Sequence, residues 1–359
     1  ALLKELRAEG IAVKIVDDQL KISFLKEGIG NDIVEKIKNN KSQIIDYLKS
    51  IEQDKFQDIP QIHSAANYPV SNAQFRIWFE SESKSASLAY NIPFELKLEG
   101  DYDKGILENS LLYVIERHEI LRTVFRLDED NELKQYVLSI DEIKFKLLYK
   151  DFSITDKFSQ ETDQYIAVLN NEVFDLENGP LIKAALLKYQ SDGYYFYCNM
   201  HHIICDAWSI PILKNEIAIT YNALKNNTEP LLPTLRIQYK DYASWSIENL
   251  KQATLLKQKE YWLDKFSDTI PVLDLPLKNI RPAVKTYNGS TLKTYFDNHT
   301  AELIQAYKKN STGSLYMIIA ASLHIMLSKY SGNNDTVIGS PFAARENIDL
   351  NNQIGFYTN

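Results

Sequence analysis

The segment Tyr194-Tyr195-Phe196-Tyr197-Cys198-Asn199-Met200-His201-His202-Ile203-Ile204-Cys205-Asp206-Ala207-Trp208-Ser209 holds the chain's densest set of reactive groups. An apolar, strand-like run ends in two adjacent imidazoles, His201 and His202, and Asp206 follows four residues after the second. An imidazole with an ordinary pKa of about 6.5 accepts a proton at neutral pH, whereas a carboxylate there is better suited to an ion pair. Successive side chains on a strand point to opposite faces, so both rings cannot address one reacting atom while strand geometry lasts. One ring is expected to face a site and the other the scaffold. Two His and an Asp also suit a metal in type. Adjacent His diverge, however, and no fourth ligand stands nearby, so a metal centre is not expected. Standing alone, the pair would read as buried histidines satisfied by backbone.

The elements that must position these groups follow from periodicity. From about residue 67 helical and strand-like segments alternate without a short repeat, as in an α/β sandwich of layers. Helices are expected over Ala73 to Ser81 and Lys104 to His118, with strands at Leu121 to Arg126, Tyr136 to Leu138, Ile182 to Tyr189 and Tyr194 to Met200. Ser209 is placed to cap a helix running to about Leu224. Pro230, Pro233 and Asn226-Asn227-Thr228 then interrupt the pattern, which sets a boundary between two lobes, residues 67–230 and 231–359. In the second lobe helices are expected around Tyr239 to Phe266 and over Leu315 to Tyr330, and a strand at Thr336 to Gly339.

Residues 1–50 read as a separate unit, joined by a polar linker, residues 51–66, that contains Pro60. Leu2 to Ala8 suggests a short helix closed by Gly10. Val13-Lys14-Ile15 and Leu20-Lys21-Ile22-Ser23-Phe24 alternate apolar and polar residues around Asp17-Asp18, the pattern of a hairpin with one apolar face. Helical spacing returns at Ile33, Val34, Ile37, Ile44, Ile45 and Leu48, with Asn31, Asp32 and Ser42 near the starts. The hairpin edge is a template for an added strand, because its unpaired N–H and C=O groups can receive one. A plain N-terminal cap on the larger domain is the alternative.

Bulk composition narrows the classes. Net charge is −8 with basic and acidic residues interleaved, which leaves no broad positive surface for nucleic acid. Only Cys198 and Cys205 occur, too sparse for a disulfide framework, so the compartment reads as reducing cytosol. No apolar run reaches eighteen residues and no export leader is seen, so a membrane partner is not expected. Gly289 and Gly339 form no phosphate-cradling loop. His118 is expected to be structural; His63, His299 and His324 are isolated. Trp78, Trp208 and Trp245 are expected to pack.

The His segment resembles the His-His-x-x-x-Asp-Gly-Trp-Ser signature of non-ribosomal peptide synthetase condensation domains, with Ala207 in place of Gly. Four further blocks resemble that family's motifs in order: Ser71 to Trp78, Arg117 to Phe125, Tyr239 to Trp245, and Ile354 to Asn359. Chloramphenicol acetyltransferases share only the His signature. Residues 1–50 are similar in pattern and length to the tubulysin-type β-hairpin docking domains at the N-termini of synthetase subunits.

The resemblance implies an α/β fold: a small α+β docking domain and two chloramphenicol-acetyltransferase-like lobes, the second incomplete. It implies an amide-forming acyltransferase in which donor and acceptor peptidyl carrier proteins reach a site at the His pair from opposite faces. The chain itself would bind no cofactor, the 4′-phosphopantetheine being carried by the partner carriers. His202 would lie beside the attacking amine, His201 would face the scaffold, and Asp206 would pair with Arg122 in the first instance or Arg117 in the second. The hairpin would receive the upstream subunit's C-terminal tail, with Lys14, Lys21 and Lys26 as contacts for an acidic peptide. An epimerization domain is the near rival, disfavoured by the order Ala207-Trp208-Ser209 and by Arg117-His118-Glu119. Heterocyclization domains replace the His pair with Asp. A docking fragment without turnover is the reading from a different class. If Ala207 stands where the backbone needs positive φ, its Cβ costs energy or narrows a channel.

Overall fold

The computed structural model describes residues 11–16, 19–24, 35–38, 40–45, 58–153, 158–190, 193–249, 253–277, 282–310 and 313–359. They divide into two compact units, residues 1–60 with 345–352 and residues 61–344 with 353–359.

In the first unit β1 (Ile11–Val16) and β2 (Gln19–Phe24) pair antiparallel, from Ile11 opposite Phe24 to Val16 opposite Gln19. Lys14 and Lys21 are direct register partners. The expected hairpin therefore forms, and its turn residues Asp17 and Asp18 lie outside the described residues, as do Leu2 to Ala8, Gly10, Lys26, Asn31, Asp32, Ile33, Val34 and Leu48. Residues 35–38 and 41–45 are helical and bury Ile37 and Ile44. Ser42 falls within the first turn of the second, which opens with the Ile44 N–H donated to the Asn40 carbonyl at 2.9 Å.

The second unit runs β3 (Tyr68–Pro69), α1 (Asn72–Glu80), α2 (Lys84–Ala89), β4 (Asn91–Glu99), α3 (Lys104–Arg117), β5 (Thr123–Leu127), β6 (Leu133–Val137) and β7 (Leu148–Asp151). It continues with α4 (Phe158–Asn170), β8 (Ile182–Gln190), β9 (Gly193–His201), α5 (Ser209–Lys225), α6 (Tyr239–Asn249), α7 (Ala253–Lys265), α8 (Asn298–Asn310) and α9 (Leu315–Ser331). Strands β3-β6-β5 form one sheet, and β4-β9-β8-β7 form a mixed one in which only β7 and β8 are parallel.

β9 explains its own sequence. Paired on both edges and covered on both faces, it buries eight of its nine residues, so its sequence is a nearly unbroken apolar run. On one face Tyr197 joins Phe152, Ile166, Leu169, Ala185 and Leu187 in a core closed by α4. On the other, α5 lies over Phe94 and Phe196 and packs beside α3. α3 starts where Asp103 accepts the Ile106 N–H at 2.8 Å, and it buries Leu107, Leu111, Val114 and Ile115 at helical spacing. α5 buries Leu213, Ile217, Thr220 and Tyr221 in the same manner. α1 is set by a reciprocal capping box between Ser71 and Gln74.

Ser209 is the first residue of α5, not its cap; Trp208 is the N-cap and makes no side-chain capping bond. Residues 336–339 form no strand, because a strand needs hydrogen-bonded neighbours and none stands beside them among the described residues. Thr336 instead bonds His324 Nδ1 through its hydroxyl at 2.5 Å. α7 and α9 leave Trp262, Leu263, Met317 and Ile325 open to solvent. No described helix is long and apolar enough to cross a membrane.

Candidate active site

β9 delivers both histidines, and the end of the strand separates them. His201, its last residue, is fully buried, with Nδ1 accepting the Ile203 N–H at 3.3 Å and Nε2 3.4 Å from Ser81 Oγ. The Phe174 ring stands edge-on to it at 6.2 Å. Burial, with the neighbouring His202 as a smaller contribution, lowers its pKa to about 3, so the ring is neutral at physiological pH.

At His202 the backbone leaves the sheet for the 3₁₀ turn His202–Ile204, and its N–H is donated to the Tyr90 carbonyl at 2.8 Å. The ring is half-buried. Its Nδ1 lies 2.7 Å from the Cys205 carbonyl oxygen, which can only accept, so Nδ1 carries the proton and the neutral ring keeps its lone pair on Nε2. No group among the described residues bonds Nε2. The Phe356 ring walls the imidazole at 4.9 Å, 68° from coplanar, and Tyr90 stands edge-on at 6.5 Å.

Asp206 is buried and works as a clamp. Its Oδ1 accepts the Ser209 N–H at 3.0 Å and lies 2.8 Å from Ser209 Oγ, while Oδ2 accepts the Tyr357 N–H at 3.2 Å. A carboxylate at the start of α5 also faces the positive end of that helix's dipole. Ser209 Oγ lies 3.0 Å from the Gly355 carbonyl oxygen and accepts the Gly355 N–H at 3.1 Å. Tyr239, fully buried, donates its hydroxyl to the Phe356 carbonyl at 2.6 Å. The tyrosine ring comes so near that a Cβ on Gly355 would sit 2.2 Å from Tyr239 Cδ2. Glycine is required there by space.

The structure does not bring Arg122 or Arg117 to Asp206. Arg122 closes a 3₁₀ turn before β5, and this places its guanidinium against the Leu138 carbonyl, just past β6, and 4.0 Å from Glu119. Arg117 ends α3 beside α5, where Nε contacts both oxygens of buried Glu216 at 3.2 Å. His118, fully buried, meets the same carboxylate at 2.8 Å. Trp208 is 50% exposed and does not pack as expected. Ala207 is exposed and lies outside the positive-φ residues, so its Cβ carries no backbone strain. Burial pushes both thiols up, Cys198 and Cys205 alike, and keeps them protonated. Among the described residues no cluster of three or more His, Cys, Asp or Glu is arranged for a metal.

Residues 64–359 match the condensation domain model, and residues 1–50 match the TubC N-terminal docking domain model. Bacitracin synthase 3 of Bacillus licheniformis is 31% identical over 314 residues, 88% of this chain and 5% of the synthase. Bacitracin synthase 2 of the same organism is 31% identical over 360 residues, 99% of this chain and 13% of the synthase. The chain thus spans a small part of the length of these relatives. Among solved structures, the X-domain from teicoplanin biosynthesis superposes with a TM-score of 0.72 at 22% identity, covering 84% of this chain and 66% of that one.

Proposed function

Because the chain belongs to the condensation-domain family of non-ribosomal peptide synthetases, we propose that it forms an amide bond between an upstream carrier-bound aminoacyl or peptidyl thioester and the amine of a downstream carrier-bound aminoacyl unit. The observation that carries this reading is the tautomer of His202: Nδ1 is tied to the Cys205 carbonyl at 2.7 Å, and the free lone pair sits on Nε2 of a half-buried ring.

The acceptor nitrogen attacks the thioester carbonyl, the C–N bond forms, the C–S bond breaks, and the nitrogen's proton ends on the departing sulfur. His202 Nε2 orients the amine and then takes that proton from the tetrahedral species. A strong base is not needed, since an α-amine of pKa about 7.7 to 8.0 is partly unprotonated at neutral pH. Holding both tethered substrates in near-attack geometry supplies several kcal/mol, and proton transfer adds roughly 10²- to 10⁴-fold. His201, neutral and buried, fixes the strand end. Asp206 clamps the His loop to α5 and to residues 355–357. Arg122 supports the fold beside Leu138 and stays out of the chemistry.

The phosphopantetheine arms belong to the donor and acceptor carriers. Residues 1–50 receive the C-terminal tail of an upstream subunit as an added strand, with Lys14, Lys21 and Lys26 facing an acidic peptide, and the assembly works in the cytoplasm. His202→Ala is expected to lower the single-turnover rate of amide formation on defined donor and acceptor carriers by about 10²- to 10⁴-fold. A variant retaining nearly the full rate sinks the assignment.

A further inference from the structure

α5 and the outermost strand of the four-stranded sheet, β4, enclose a second concave site remote from His202. Leu96, Leu98 and Phe196 line its sheet side, and Ile217 and Ala218 its helix side. Its volume is about 120 Å³. An apolar cavity of roughly 150 Å³ holds benzene, so this one takes a body of about six carbons. Phe196 precedes His202 by six residues, or roughly 20 Å of strand, so the groove does not share the reaction centre.

One feature separates this groove from an ordinary packing gap. Lys214 stands half-buried at its wall with its ammonium 4.6 Å from the centre of the Phe94 ring, and no carboxylate pairs with it among the described residues. Of the other half-buried lysines of this unit, Lys134, Lys183 and Lys240 each have an acidic partner, Glu132, Glu172 and Glu119. An ammonium held against an apolar wall without its counter-charge is stabilised by an anion more strongly than one in open water, because the local dielectric is lower. Tyr102 also lines the groove, and its hydroxyl has no hydrogen-bond partner among the described residues.

We propose that the groove between β4 and α5 binds a small carboxylic acid with an apolar body of about six carbons, its carboxylate on Lys214 and its body against Leu96, Leu98 and Phe196. The acid enters no bond-making step; the site is a non-covalent one on the helix whose first residue, Ser209, contacts Asp206.

Hexanoate, hexanol and hexylammonium serve as probes, titrated into this protein and followed by amide and methyl chemical shifts. Saturable shifts centred on Leu96, Leu98 and Ile217 are expected with hexanoate, at least ten-fold tighter than with hexylammonium and tighter than with hexanol. Lys214→Met, at a half-exposed position, is expected to abolish the preference over hexanol. Ala218→Trp, at an exposed position on the groove wall, should block both while leaving the melting temperature within a few degrees. Equal affinities for the acid and the amine, an unchanged preference in Lys214→Met, or no saturable shift in the unmodified protein overturns the proposal. None of these readouts depends on amide formation.

Discussion

Two adjacent residues of one chemical type end in opposite states because the strand that carries them stops between them. His201 is held neutral by burial, with a pKa of about 3 against 6.5 for the free ring. Between those values the unfolded chain holds a proton that the folded chain does not, so this contribution to stability is full above about pH 6.5 and is lost as pH falls toward 3. The slope is at most about 1.4 kcal/mol per pH unit. Chemical denaturation at pH 6.5, 5.5 and 4.5 should show this steeper loss in the unmodified protein than in His201→Gln; parallel slopes would mean that His201 does not titrate on unfolding. Space constrains Gly355 as charge constrains His201. Gly355→Ala drives a Cβ into the buried Tyr239 ring and is expected to cost at least about 1–3 kcal/mol of stability, read from the denaturation midpoint. An unchanged midpoint would show that the Tyr239 ring can move aside.

Elements were legible where one physical signal dominated. β9 is a run of apolar residues because both its faces and both its edges are covered, and α3 and α5 repeat their buried positions at helical spacing. Positions failed where two signals compete. Ser209 has the chemistry of a helix cap, but it is already the first helical residue, and its hydroxyl lies 2.8 Å from Asp206 Oδ1 and 3.0 Å from the Gly355 carbonyl oxygen. Thr336 to Gly339 has strand-like composition without strand neighbours among the described residues. The His pair, and the expectation that its two rings meet different surroundings, were visible in the sequence, whereas Phe356 and the Cys205 carbonyl were not. A ring wall 154 residues from its histidine, and a carbonyl exposed by one tight turn, leave no periodic trace. At the hairpin, Lys14 and Lys21 are register partners. Replacing both with Glu is expected to weaken binding of an acidic tail peptide from an upstream subunit at least ten-fold in a fluorescence titration at low salt, with less difference at high salt. Equal binding by the double variant would place the contact elsewhere.

At the scale of the molecule, the site joins distant parts of the sequence. Asp206 and Tyr357 meet across 151 positions, and Ser209 and Gly355 across 146. Contacts of that separation are closed late, because the intervening chain must be ordered first. On a ribosome adding roughly 5–20 residues per second, the loop with His202 is made on the order of ten to thirty seconds before residues 355–357. For that interval the nascent polypeptide holds its imidazole pair without the phenyl wall or the backbone N–H that clamps the neighbouring carboxylate. Translation therefore acts as a timer: a half-made chain displays the signature of the machinery while still lacking its geometry.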